Sequence, residues 1–271
     1  MSQCSVCTRC CAVDRKIERG FCKAPWNPVV ASVMVHRGEE PIISGSRGSG
    51  TVFFAGCNLG CVFCQNYDIS QHCFGKETTP AELAETFIEL EKRGVHNVNL
   101  VTPGHFVPPI VETIKLAKEL GIKIPFVYNS NGYDSLVSLK SLDGLIDIYM
   151  PDLKYASDTY GQRYSNVPDY FSVASIALKE MYRQVGMSVI KNGVMQRGVL
   201  IRHLVMPGLL EDSITTLDWI KENTPTAIVN VMPQYRPEYK AAKYPEINRH
   251  PTSSEFEKVV DHLEKLGLQE G

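Results

Sequence analysis

Three cysteines on one short loop carry most of the chemistry that can be read from this chain. They stand in Cys57-Asn58-Leu59-Gly60-Cys61-Val62-Phe63-Cys64, a C-x3-C-x2-C spacing after the apolar run Thr51-Val52-Phe53-Phe54-Ala55-Gly56. Three thiolates on one tight loop can hold three irons of a four-iron, four-sulfur cluster. The loop has no ligand for the fourth iron, and an open iron can bind and activate a small molecule. No apolar alternation or helical stripe requires these thiols. A structural zinc site would need a fourth ligand nearby, and Cys73 is the only thiol soon after. Buried free thiols and zinc are the bland alternatives.

A second set lies at the start of the chain, as Cys4-x2-Cys7-x3-Cys11-x10-Cys22, with Cys10 as a spare. Four thiols at such spacings can bind zinc or a second cluster. They can equally be reduced thiols or a lost ancestral site, and the sequence leaves this open. The chain has nine cysteines in all, an odd number, and Met1-Ser2-Gln3-Cys4 begins no apolar leader. That usage reads as metal chemistry in a cytoplasmic protein rather than as a disulfide framework; a cluster with an open iron also implies a reducing, anaerobic setting. With 28 basic and 30 acidic residues, the net charge of −2 gives no nucleic-acid footprint. No apolar run approaches the roughly 18 residues of a membrane span.

The elements that must position these residues follow a repeating order. Residues 29–34 are apolar and β-branched and read as a strand, in a hairpin with Pro41–Ser44 across His36-Arg37-Gly38-Glu39-Glu40. The Gly/Ser-rich stretch 44–50 marks a boundary. It separates a Cys-rich N-terminal module, residues 1–44, from a main domain, residues 45–271. Beyond it, short apolar runs at 51–56, 97–102, 124–129, 146–150, 199–205 and 227–232 read as buried parallel strands. Helical patterns lie between them. One starts at Thr79-Pro80-Ala81-Glu82, a capping signature, and Gly94 ends it. Another runs from Pro109, with Ile110, Ile114, Ala117 and Leu120 on one face. Further helices cover 168–186 and 211–222, and a last one starts near Thr252 with Glu255 three residues on. Six β-α units predict an α/β fold with a parallel sheet. Six is too few for a closed eight-stranded barrel. A partial barrel and a doubly wound sheet both fit, because periodicity does not give strand order.

Ligands of α/β sheets sit at the carboxyl ends of the strands. The polar residues collect there: the cysteine loop, Thr102-Pro103-Gly104-His105, Asn129-Ser130-Asn131-Gly132, Asp152 and Lys154, Arg202, and Pro233-Gln234-Tyr235-Arg236. Turn chemistry alone explains the Asn-Gly and Pro-Gly pairs. It does not explain Asp152 and Lys154 beside Arg202.

The loop from Gly56 to Asn66 resembles the cluster loop of radical S-adenosylmethionine (SAM) enzymes, and more narrowly of the pyruvate formate-lyase activating enzyme. Ser130-Asn131-Gly132, Met150-Pro151-Asp152-Leu153-Lys154 and Arg202-His203-Leu204-Val205-Met206-Pro207-Gly208 extend the resemblance over about residues 45–240. It implies a three-quarter β/α barrel. It also implies a [4Fe-4S] cluster on Cys57, Cys61 and Cys64, whose open iron takes the amino and carboxyl groups of SAM. Reductive cleavage then gives methionine and a 5′-deoxyadenosyl radical, which abstracts hydrogen from the substrate. The implied partners are a single-electron reductant such as flavodoxin or ferredoxin and a glycyl-radical protein. A small molecule or another peptide is an alternative substrate. A non-catalytic electron carrier or redox sensor is the contrasting class.

SAM needs a partner for each of its groups. Asp152 and Lys154, two apart on an extended chain, face one side and suit its methionine end or ribose. Arg202 can fork onto a carboxylate. Phe63 stands where family members set an aromatic residue against adenine, and Asn131 joins the set. Two departures matter. Thr102-Pro103-Gly104-His105 replaces the usual glycine-rich motif that takes the SAM ammonium, and His105 reads either as a substrate-facing or as a supporting group. Asn129 stands where the activating enzyme has an aspartate, which puts a monovalent cation site in doubt.

Overall fold

The computed structural model describes residues 4–271; the first three, where the absence of an apolar leader was read, lie outside the described residues. The elements in chain order are β1 (Val29–His36), α1 (Pro41–Ser44), β2 (Ser49–Phe54), α2 (Tyr67–His72), β3 (Lys76–Glu77), α3 (Pro80–Lys92) and β4 (Val98–Val101). Then come α4 (Val107–Glu119), β5 (Phe126–Ser130), α5 (Leu136–Ser141), β6 (Ile148–Pro151), α6 (Asp158–Ser165), α7 (Tyr170–Val185) and β7 (Val189–Lys191). The last are β8 (Val194–Leu204), α8 (Leu210–Asn223), β9 (Ile228–Met232), α9 (Ser253–Leu266) and β10 (Gln269–Glu270).

Strand order decides between the two sheets the sequence allowed. β2, β4, β5, β6, β8 and β9 lie side by side in chain order, all parallel. A doubly wound sheet would reverse direction partway, and this one never does. It is the open, six-unit partial β/α barrel. Antiparallel β1 covers one edge and short β10 extends the other.

The helices form where their end signals stand. Thr79 and Glu82 close a complete capping box on α3, and Thr252 and Glu255 close another on α9. Leu83, Phe87 and Leu90 of α3 pack into the core with Ile110 and Ile114 of α4. Burying a side chain the size of Phe87 contributes roughly 1.5–3 kcal/mol. Leu120 departs from the expected inward face: it caps α4 and is 59% exposed.

The expected hairpin between residues 29–34 and Pro41–Ser44 does not form. Pro41 presets φ for a first helical turn, and Pro41–Ser44 is helical. β1 instead pairs with β2, from Val30 opposite Phe54 to His36 opposite Ser49. A real hairpin, β7 to β8, turns on Asn192-Gly193 with φ of 53° and 77°. Two positive φ values are what a two-residue turn of this type demands. Residues 4–28 are irregular, and Arg9 ties them to the barrel through the carbonyls of Asn58 and Asn166, both at 2.8 Å.

Candidate active site

The carboxyl ends of all six parallel strands open into one cavity of about 260 Å³. Its walls include Cys57 after β2, Thr102 after β4, Asn131 after β5, Asp152 after β6, Leu204 of β8 and Met232 of β9. Cys61, Cys64, Phe63, Lys154 and Arg202 line it as well. The three loop cysteines, Phe63, Asn131, Asp152, Lys154 and Arg202 are therefore brought together.

The cysteine loop is held by its own surroundings. Leu59 N–H donates to the Cys57 sulfur at 3.4 Å, and Asn131 Nδ2 donates to it at 3.3 Å. The Ser165 hydroxyl lies 3.1 Å from the Cys61 sulfur, and the Ser70 hydroxyl 3.2 Å from that of Cys64. Burial, with the charge of neighbouring thiols, pushes Cys57 up to about 12. Burial pushes Cys61 up to about 11, against the pull of Lys154. Buried thiols such as these need a cation nearby to ionise together. No fourth cysteine lines the cavity. Among the described residues, no three His, Cys, Asp or Glu side chains converge closely enough to share a single ion. Donors spread this way suit a cluster, where each thiolate meets a different iron.

Beside the thiols lies a buried charge network. Lys154 Nζ meets Asp152 Oδ2 at 2.5 Å, and Arg202 reaches Asp152 Oδ1 at 2.9 Å. Burial alone would raise the Asp152 carboxyl; the Lys154 and Arg202 charges outweigh it and hold it below its usual range. Arg202 also donates to Asn129 Oδ1 at 2.8 Å and pairs with Glu39 at 3.4 Å and Glu40 at 4.0 Å. Burial raises the Glu40 carboxyl, with Arg202 opposing. Arg202 was expected to fork onto a ligand carboxylate; its guanidinium contacts these protein groups, and the residue also lines the cavity. Three carboxylates thus meet two cations, and burial shifts one of the three, Glu40, toward its protonated form.

Phe63 is buried, tilted against Tyr235 at 5.6 Å, and still lines the cavity. Asn131 turns toward the cysteine loop, with its Nδ2 also donating to Asn58 Oδ1 at 2.8 Å. Gly132, with φ of 80°, has no room for a side chain: a Cβ there would come 2.3 Å from the Asp152 carbonyl. That contact accounts for the Asn131-Gly132 pair. Thr102 adopts φ of 59°, an outlier for a β-branched residue, where a glycine-rich motif was expected.

His105 does not face the cavity. Its Nε2 bonds the Ala55 carbonyl at 2.9 Å, behind the cysteine loop. Burial pushes it down to about 3 and keeps it neutral. It is a brace. Glu39, Glu40, Ser70, Ser165 and Tyr170 were not anticipated. The Glu pair looked like a solvated turn. Tyr170, inside a helical pattern, places its hydroxyl 2.9 Å from the Asn131 carbonyl and 3.0 Å from that of Asp152.

No helix among the described residues is long and apolar enough to cross a membrane. The family model of the radical SAM superfamily matches residues 51–220. Uncharacterized protein MJ0674 of Methanocaldococcus jannaschii is 38% identical over 98% of this chain and 75% of its own length. Two solved structures share the fold at low identity. Methylornithine synthase (PylB) aligns with a TM-score of 0.56 and 18% identity, over 81% of this chain and 63% of that one. SuiB of Streptococcus suis bound to S-adenosylmethionine aligns at 0.51 and 16%, over 82% and 45%. The chain thus spans about half to two thirds of those structures. Members of the matched family use a [4Fe-4S] cluster and SAM, and the thiol loop at the end of β2 fits that pair. The chain belongs to the radical SAM superfamily.

Proposed function

We propose that this chain abstracts a hydrogen atom from a substrate bound across the open ends of the strands. We further propose that this substrate is a segment of another protein, with a glycyl-radical protein as first candidate. When bound, the cluster and SAM supply a one-electron bond cleavage that generates the hydrogen-abstracting species, the electron coming from a reductant such as flavodoxin or ferredoxin. The chain's own residues bind, orient and shield.

One observation carries the reading. Three thiols without a fourth share a cavity with the buried Asp152, Lys154 and Arg202. SAM carries an ammonium, a sulfonium and a carboxylate, and this set offers both signs of charge to meet them. In this reading Cys57, Cys61 and Cys64 ligate the cluster. Asp152, kept ionised by Lys154 and Arg202, takes a polar end of SAM, and Lys154 stays within reach of a carboxylate or ribose hydroxyl. Phe63, fixed against Tyr235, offers its face to adenine. Phe54, Leu204 and Met232 give apolar wall that keeps water away. The protein substrate rests on the resemblance of the cluster loop and the later strand-end motifs to those of the activating enzyme.

The test is anaerobic reconstitution with iron and sulfide, then SAM and a strong reductant. Slow release of 5′-deoxyadenosine without substrate is the expected result. SAM binding with no 5′-deoxyadenosine under any reductant would move the chain to the carrier or sensor class. With a deuterated glycyl-radical protein, deuterium should pass into 5′-deoxyadenosine. Release of product without such transfer would instead favour a small-molecule substrate.

A further inference from the structure

The four N-terminal cysteines named by spacing lie apart from the cavity and take no part in the function proposed above. Their loop is folded tightly. Cys4 N–H donates to the Val13 carbonyl at 2.9 Å, and Ala12 N–H returns to the Cys4 carbonyl at 3.1 Å, which sets Cys4 beside Cys11. Cys10 N–H closes a turn on the Cys7 carbonyl at 3.1 Å. Cys10 and Ala12 hold φ of 41° and 56°, strain that persists only where the surroundings demand it. The result sends Cys10 to solvent and buries Cys7 and Cys22. Phe21 N–H donates to the Cys11 sulfur at 3.4 Å, the same kind of bond that Leu59 gives Cys57. A Cβ on Gly20 would stand 3.0 Å from that Cys11 sulfur, so the chain passes it without a side chain.

Cys7 and Cys22 are buried, Cys4 and Cys11 are half-buried, and Cys10 alone of the five is exposed.

Arg15 supplies an independent observation. It is only 3% exposed. Its guanidinium donates to the backbone carbonyls of Ala24 at 3.3 Å, His105 at 2.5 Å and Pro25 at 2.5 Å. Among the ion pairs of the described residues none involves Arg15. A buried cation without a counter-charge costs several kcal/mol. It is held at the carbonyls of Ala24 and Pro25, two and three residues after Cys22, so thiolates at this place would provide the missing counter-charge.

We propose that Cys4, Cys7, Cys11 and Cys22 ligate a second four-iron, four-sulfur cluster, closed by four protein thiolates and neutralised in part by Arg15. Spacing of the donors favours a cluster over zinc. Tetrahedral zinc with bonds of about 2.3 Å needs its sulfurs only about 3.8 Å apart. No three such ligands among the described residues gather tightly enough for one ion, and this is equally true of Cys57, Cys61 and Cys64. With all four irons ligated by the protein, this centre has no open iron. It stores or relays an electron and binds no substrate.

Iron and sulfide counts test the proposal on the whole chain. Anaerobically reconstituted wild-type protein should hold about eight irons and eight sulfides, two clusters' worth. A Cys57→Ala, Cys61→Ala, Cys64→Ala variant should keep about four of each, with a reduced EPR signal that SAM does not alter. Adding Cys7→Ser and Cys22→Ser should remove that signal, whereas Cys10→Ser should not. About four irons in the wild type, or zinc in place of iron in the triple variant, would overturn it. So would a second signal that survives loss of Cys7 and Cys22. The wild-type count stands even if a variant misfolds. Because the triple variant lacks the SAM-binding thiols, these outcomes are separate from any failure of 5′-deoxyadenosine formation.

Discussion

The two thiol sets come within one residue of each other at Gly56, yet their surroundings are opposite. Cys57, Cys61 and Cys64 open into a cavity walled by charged side chains. In the N-terminal set Cys7 and Cys22 are buried, Cys4 borders a separate cavity, and the nearby buried Arg15 donates to carbonyls but has no counter-charge among the described residues. On the ligand sets proposed above, the first is one ligand short and the second is complete. An incomplete ligand set beside a cavity can do chemistry on a bound molecule, whereas a complete one can only hold metal and charge. The parallel sheet explains the placement. Its carboxyl ends aim side chains into the cavity, while the irregular N-terminal segment packs against the back of the loop through Arg9 and Arg15.

The strongest way to break this contrast is to remove a thiol. Replacing Cys57, Cys61 or Cys64 by alanine should abolish 5′-deoxyadenosine formation, taking it to background. The same variants should lose about four irons, one cluster's worth. Cys10→Ser, at the exposed spare, should change neither. Full iron retention in all three alanine variants would remove the basis for the site.

Next in size is the charge network. Asp152→Ala leaves Lys154 and Arg202 facing each other, with only Glu39 and Glu40 to balance Arg202. Loss of one partner of a buried charged contact costs on the order of 2–5 kcal/mol. SAM affinity should therefore fall at least tenfold, with cluster absorbance intact. Unchanged affinity in equilibrium binding would mean that Asp152 serves the fold alone.

Gly56→Ala strikes at the junction of the two sets. Gly56 has φ of 82°, and a Cβ would come 2.5 Å from the Cys22 carbonyl and 3.1 Å from His105 Nε2. The left-handed conformation and the clash should together cost roughly 1–3 kcal/mol. Thermal midpoint should drop by about 2–4 °C per kcal/mol, and both iron populations should become less well occupied. A variant that lost iron from only one set would show that the sets are mechanically independent.

Much of this arrangement was legible because it is local. The capping boxes of α3 and α9, the six buried strands and the cysteine loop are each written within about ten consecutive residues. Asp152 and Lys154 stood out because charges ending an apolar strand are unusual. What was hidden depends on long-range packing. Glu39 and Glu40 seemed to belong to a polar turn, and only the pairing of β1 with β2 carries them under Arg202. The roles of Ser165 and Tyr170 come from helices whose residues meet the strand ends across dozens of positions. His105 misled for the same reason: a loop histidine looks available until its ring is found against Ala55. Periodicity could not supply strand order, and the sheet settled it.

The smallest expected effect sharpens the contrast most finely. Both sets receive hydrogen bonds at sulfur, but the N-terminal bond comes from the backbone of Phe21, while Cys64 faces the Ser70 hydroxyl at 3.2 Å. A side-chain bond can be removed cleanly. Once Cys64 is an iron-bound thiolate, the hydroxyl must donate, and donation stabilises the more negative, reduced state. Hydrogen bonds to sulfur are among the features that set the potential of such clusters. A bond about 1 kcal/mol stronger in the reduced state corresponds to roughly 40 mV for one electron. Ser70→Ala should therefore shift the potential of the first cluster downward by some tens of millivolts, slow reduction, and leave the second cluster and the thermal midpoint unchanged. Potentiometric titration followed by EPR reads this directly. The Ser70 oxygen also accepts from Gln71 Nε2 at 3.3 Å, which leaves its proton free for the sulfur; an unaltered potential would show that the hydroxyl does not donate to the Cys64 sulfur.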